Sequence, residues 1–119
     1  MEYQSNPEKY FFNDKLYLCP LDLAMEIIGG KWKAMLLFHL QNGALRSSEL
    51  KRRIKGNISN KMFTQIAREL ETAGVISRKV YPVVPPKVEY SLTPLGESVM
   101  PNILALAQWG RSVGKKMEE

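Results

Sequence analysis

The chain holds one cysteine and one histidine, Cys19 and His39, and these are the first residues to test for chemistry. A thiol and an imidazole can form a nucleophile–base pair, provided an acidic residue orients the imidazole and donors hold an oxyanion. No such orienter, oxyanion glycine pattern or phosphate loop accompanies them, so the sequence does not read as an enzyme. One Cys and one His are too few for a metal centre, and a lone thiol forms no disulfide within the chain. No cofactor or metal is expected. His39 follows Met35 by one turn of an otherwise apolar segment, the setting of a structural or interfacial histidine. Cys19 stands directly before Pro20, a residue suited to the first position of a helix because its missing N–H would have no partner there. A helix start stabilises a thiolate through its unpaired N–H groups and its dipole. Two readings of Cys19 stay open: a small buried residue at the helix start, or a thiol that a small electrophile or oxidant modifies.

A second set of residues lies in "SNKMFTQIARELETAG", which begins at Ser59. At about 100° per residue, Met62, Phe63, Ile66, Ala67, Leu70 and Ala73 fall on one side of a helix. Lys61, Thr64, Gln65 and Arg68 fall on the other, with Asn60 at the start and Ser59 as the cap. A solvated face would also look like this. The outward side chains are nevertheless donors and small contact groups suited to base edges and phosphates in a major groove. The preceding segment supplies Lys51, Arg52, Arg53 and Lys55, and a later hairpin supplies Arg78, Lys79 and Lys87. Three elements thus bring positive charge to one helix, and the expected partner is double-stranded DNA. A winged helix used for protein–protein contact is the alternative, and would carry a more apolar or acidic face at Lys61–Arg68.

The elements that must position these groups follow from periodicity. Pro20 to Ile28 and Lys31 to about Gln41 repeat at helical spacing, separated by Gly29-Gly30. Ser47 or Ser48 is the expected cap of a short helix to Ile54, with Glu49 in its first turn. "KGN" interrupts it, and Ser59 starts a helix running to about Ala73. Two helices about a tight glycine-containing turn make a helix-turn-helix. The period then becomes alternating, with Ile76, Arg78 and Val80 against Val88, Tyr90 and Leu92, around the stiff loop "PVVPP". Thr93 and Pro94 open a last helix to about Lys116. Residues 1–18 form an aromatic arm with Tyr3, Tyr10, Phe11, Phe12 and Tyr17. So many exposed rings would be costly, so the arm is expected to pack on the domain or on a second subunit.

At 119 residues the chain suits one compact domain, and its 45% hydrophobic and 24% charged content is that of a globular protein. No apolar run is long enough to span a bilayer, and the opening "MEYQSNPEKY" does not read as a secretory signal. The expectation is a cytoplasmic protein with no membrane partner. A net charge of +5 favours a polyanionic partner without specifying one.

Several stretches closely resemble the HxlR-type winged-helix regulators, relatives of the MarR regulators. These are "CPLDLAMEIIGGKWKAMLLFHL", "SELKRRI", "ISNKMFTQIARELETAGVISRKVYPVVPPKVEYSLTPLGES" and "ALAQWG". The resemblance runs from Cys19 to about Arg111 and implies a homodimeric transcription factor on a roughly palindromic operator. It makes the helix from Ser59 the recognition helix and Tyr81–Tyr90 the wing. It also implies that the Cys-Pro cysteine is the sensing thiol, as in several members; an HxlR-type regulator without thiol sensing stays open beside it. The expected fold is α+β and mostly helical: an N-terminal arm (1–18), a winged helix-turn-helix core (19–93) and a long dimerisation helix (94–119). The last helix carries apolar residues on more than one stripe, more than one small domain covers. Leu95, Val99, Ile103, Leu106, Trp109 and Val113, with Tyr10, Phe11 and Phe12 of the arm, are the expected dimer contacts. Such a dimer sets two recognition helices roughly 34 Å apart, one turn of DNA.

Overall fold

A computed structural model of the chain describes residues 8–117; Tyr3 of the expected arm lies outside them. Within the described part of the arm, β1 (Tyr10–Phe12) and β2 (Lys15–Tyr17) form a β-hairpin, with Tyr10 opposite Tyr17. Its turn residues Asn13 and Asp14 both have positive φ, 48° and 62°. Two-residue hairpin turns of this kind match the twist of the strands, and Asn and Asp tolerate them. Tyr17 is buried, Tyr10 and Phe12 are half-buried, and Phe11 faces out.

Helix α1 (Pro20–Ile28) has the expected bounds, with Cys19 as its N-cap in extended backbone. Helix α2 (Lys33–His39) is shorter than expected, because Trp32 is its N-cap and Leu40 its C-cap. Strand β3 (Leu45–Arg46) follows, then α3 (Ser47–Arg53). The α3 cap departs from expectation. Arg46 occupies it with no side-chain bond, and both serines lie inside the first turn. Helix α4 (Asn60–Thr72), strands β4 (Ile76–Tyr81) and β5 (Lys87–Leu92), and α5 (Pro94–Val113) complete the described chain. The last helix ends at Val113, short of Lys116, with Gly114 as its cap.

The three-stranded sheet has the order β3-β5-β4, all antiparallel. Strand β3 is too short to show alternation in sequence. Its place comes from pairing Leu45 with Tyr90 and Arg46 with Glu89. The core gathers Leu36, Leu37 and Leu40 from α2, Leu50 from α3, and Phe63, Ile66, Ala67 and Leu70 from α4. Val75, Ile76, Tyr90, Met100 and Ile103 close it. Leu36, Leu37, Leu50 and Leu70 are fully buried, each worth about 1.5–3 kcal/mol relative to exposure.

Helix α5 carries two adjacent stripes. Gly96, Met100 and Ile103 are buried against the chain's own core, whereas Leu95, Leu106, Trp109 and Val113 are exposed. Ile103 lies about 80° around the helix from Leu95 and belongs with Met100. It is therefore a core residue of its own chain, a correction to its assignment as a dimer contact. Gly96 permits the close docking of α5: a Cβ there would stand 2.0 Å from the Val75 carbonyl oxygen. Thr93 fixes the same junction. Its N–H donates to the Val75 carbonyl, its hydroxyl to the Gly74 carbonyl, and its oxygen accepts from Gly96 N–H at 3.1 Å.

Candidate nucleic-acid interface

Helices α3 and α4 are joined by a turn in which Gly56 and Asn57 have φ of 102° and 60°. Buried Ile54 and Ile58 pin the two ends of the turn, and the Trp32 ring would lie 3.3 Å from a Cβ at Gly56. These contacts set the direction in which α4 leaves the turn. Ser59 caps α4 as expected, its hydroxyl oxygen accepting from Met62 N–H at 3.0 Å. Phe63, Ile66, Ala67 and Leu70 face inward. Asn60, Lys61, Thr64, Gln65 and Arg68 are all exposed. The Phe63 ring meets the Tyr90 ring edge-on at 6.2 Å, tying α4 to the central strand of the wing sheet.

The flanking cations are arranged in two ways. Lys51 is half-buried and Lys55 exposed on the α3 side. Arg52 and Arg53 both pair with Glu49 within α3, at 3.1 and 3.6 Å. The hydrogen bond from Arg52 is the largest cause lowering the Glu49 pKa. On the wing, Arg78 pairs with Glu71 at 3.6 Å, and Lys87 with Glu89 at 3.2 Å. The Nζ atoms of Lys79 and Lys87 each lie 4.7 Å from the centre of the Tyr81 ring. The Tyr81 hydroxyl donates to Glu89 at 3.0 Å. Hydrogen bonds from Lys87 and then Tyr81 lower the Glu89 pKa. Glu89 faces Lys79 on one neighbouring strand and Arg46 on the other. An acidic residue inside a basic wing folds the lysine side chains back over an aromatic ring.

Sequence reasoning missed Tyr81 and Arg46 as members of this surface. Arg46 could be found only through the β3–β5 register. Tyr81 had a signal, since it alternates with Lys79 on one side of β4. Cys19 stands elsewhere, exposed at the start of α1. His39 is half-buried, edge-on to Phe38 at 5.5 Å. Burial lowers its pKa, and Arg53 and Lys55 add to the effect. Among the described residues no helix is long and apolar enough to cross a membrane.

A tight two-helix unit with an exposed polar-basic second helix and a basic β-hairpin beside it is the winged helix-turn-helix of transcriptional regulators. Comparison with known proteins sharpens the class. The HxlR-like helix-turn-helix family matches residues 27–118, and the chain belongs to that family. It is 54% identical over 96 residues to the HTH-type transcriptional regulator YkvN of Bacillus subtilis, covering 81% of this chain and 80% of that one. An HTH-type transcriptional regulator of Methanothermobacter thermautotrophicus is 50% identical over 105 residues, covering 88% and 79% of the two chains. The solved structure of the redox regulator HypR in its oxidized form superposes with a TM-score of 0.77 at 44% identity. That match covers 82% of this chain and 100% of the other. The protein is thus a transcriptional regulator of the HxlR type, in a non-enzymatic family.

Proposed function

We propose that the chain works as a homodimer that binds a roughly palindromic operator sequence-specifically. In this reading α4 enters the major groove with Asn60, Lys61, Thr64, Gln65 and Arg68. Lys51, Arg52, Arg53 and Lys55 lie along the backbone, and Arg78, Lys79 and Lys87 meet flanking phosphates. Residues 19–93 serve as the DNA-binding core, while the hairpin and α5 serve the dimer. The observation that carries the reading is the exposed polar-basic face of α4 flanked by cations from α3 and the wing.

Dimerisation is supported by apolar surface that the single chain leaves open. Leu106, Trp109 and Val113 are 55%, 65% and 64% exposed along the outer half of α5. Leu21 and Met25 of α1 are exposed as well. A groove of about 280 Å³ between the two helices is lined by Leu23, Ala24, Ile27, Leu95 and Val99. A two-fold axis lets one such surface cover its own copy.

Exposure of Cys19 at the cap of α1 favours a further reading, in which a small electrophile or oxidant modifies the thiol and changes operator affinity. The oxidized and reduced structures of HypR, a redox regulator, support it by similarity. The test is a genome-wide pull-down of bound DNA, repeated with a thiol electrophile and with Cys19→Ser. Salt-dependent binding to discrete fragments is the expected result. An electrophile response that persists in Cys19→Ser ends the thiol reading. A purified protein that binds no genomic fragment in a salt-dependent way ends the larger one.

A further inference from the structure

The N-terminal hairpin lies ahead of residues 27–118, the stretch that the HxlR-like family matches. We propose that its Asn13-Asp14 turn braces α4 by capping the C-terminal end of that helix, with Asn13 as a positioning residue for DNA binding.

The last four carbonyls of a helix have no partner within it. Three of those in α4 are taken by the chain that follows directly: Glu69 by Ala73 N–H, Leu70 by Val75 N–H and Glu71 by Gly74 N–H. The fourth, Thr72, accepts from the Asn13 side-chain amide at 3.3 Å, 59 residues earlier in sequence. The same helix end is electrostatically unfavourable by itself. It carries Glu69 and Glu71 and has no basic residue in its last turn, against the negative end of the dipole. Help comes from outside the helix. Lys33 of α2 pairs with Glu69 at 3.2 Å while donating to the Glu26 carbonyl of α1 at 3.3 Å, and Arg78 of β4 pairs with Glu71. The hairpin is anchored in turn on α1, through buried Tyr17 and the Lys15–Glu26 pair at 3.4 Å.

Asn13 adopts a left-handed conformation that suits asparagine, and so holds its amide at the helix end without a long flexible side chain. Beside this contact a cleft of about 390 Å³, lined by residues that include Phe12, Lys15, Lys33 and Arg68, separates hairpin from helix. The helix end therefore has room to shift when the cap is lost. Because β2 ends two residues before Cys19, the brace and the exposed thiol occupy one short connection.

The experiment uses the full chain with Asn13→Asp, which keeps shape and turn preference but turns the donor into a repelling carboxylate. Asn13→Gly, which keeps the turn and removes the amide, is the second variant. Amide hydrogen exchange should speed up at Ala73, Gly74 and Val75 in both variants and stay unchanged in α3. Affinity for operator DNA should fall about three- to tenfold, the range for one lost hydrogen bond. The slope of log affinity against log salt should not change, since no phosphate contact is removed. Unchanged exchange in the last turn of α4 overturns the brace. Faster exchange with unchanged affinity in both variants overturns the positioning role of Asn13. The effect on affinity rests on α4 as the DNA-reading helix. Lys61→Ala, measured alongside, separates the two: if it changes neither affinity nor slope, that assignment fails, while the exchange data still judge the brace.

Discussion

Replacing Lys61 by alanine gives the sharpest test of how this surface meets DNA. Lys61 is exposed in the first turn of α4, on the face opposite buried Phe63, Ile66 and Leu70. Its loss removes no core contact, so thermal stability should stay within about 0.5 kcal/mol. If Lys61 neutralises one phosphate, each copy contributes about 0.9 to the slope of log affinity against log salt, and a homodimer about 1.8. Between 50 and 200 mM salt, a fourfold range, that slope is worth about a factor of ten in affinity. The variant should therefore bind more weakly at low salt and lose about tenfold less affinity than the parent over this range. Fluorescence anisotropy with a labelled operator fragment measures both quantities. Arg68→Ala should behave alike. Thr64→Ala and Gln65→Ala, neutral residues of the same face, should alter the preference among fragments and leave the slope unchanged. A Lys61→Ala line parallel to that of the parent would refute the placement of this helix against the phosphates.

Three other perturbations reach different parts of the molecule. Gly96→Ala places a methyl group 2.0 Å from the Val75 carbonyl oxygen, so α5 must shift; a loss of about 1–3 kcal/mol in denaturant unfolding is expected, and unchanged stability would contradict the close docking. Trp109→Glu puts a charge on the exposed stripe of α5 and should weaken dimerisation about 30-fold or more, as read by sedimentation equilibrium; an unaltered dimer would move the interface elsewhere. The His39 pKa is lowered in the folded chain, so as pH falls the unfolded chain takes up the proton first. The stability contributed by neutral His39 is therefore full above the ordinary value of about 6.5 and is lost as pH falls from there toward the folded value. Urea midpoints of the parent should drop more between neutral and mildly acidic pH than those of His39→Gln; identical profiles would exclude the effect.

The sequence by itself determined what depends on neighbours along the chain. A 3.6-residue period placed α1 and α4, Ser59 and Thr93 marked the starts of α4 and α5, and a switch to alternation around "PVVPP" marked the wing. The residues on the outer face of α4 followed from the same period, because a helix whose one face is apolar leaves no choice about the other. Tertiary structure decided what depends on pairing between distant segments. Two-residue β3 exists only because β5 offers it a partner, and residues 10–17 close into a hairpin through the Asn13-Asp14 turn. The two stripes of α5 look alike in sequence. Only the position of Val75 and Met100 against the core shows that Ile103 faces inward and Trp109 outward. The same holds for ion pairs and long-range hydrogen bonds: nothing in the order of residues says that Glu69 meets Lys33 or that Thr72 meets Asn13. Helical and strand periods are local geometry, whereas partners across the fold are set by how whole elements pack.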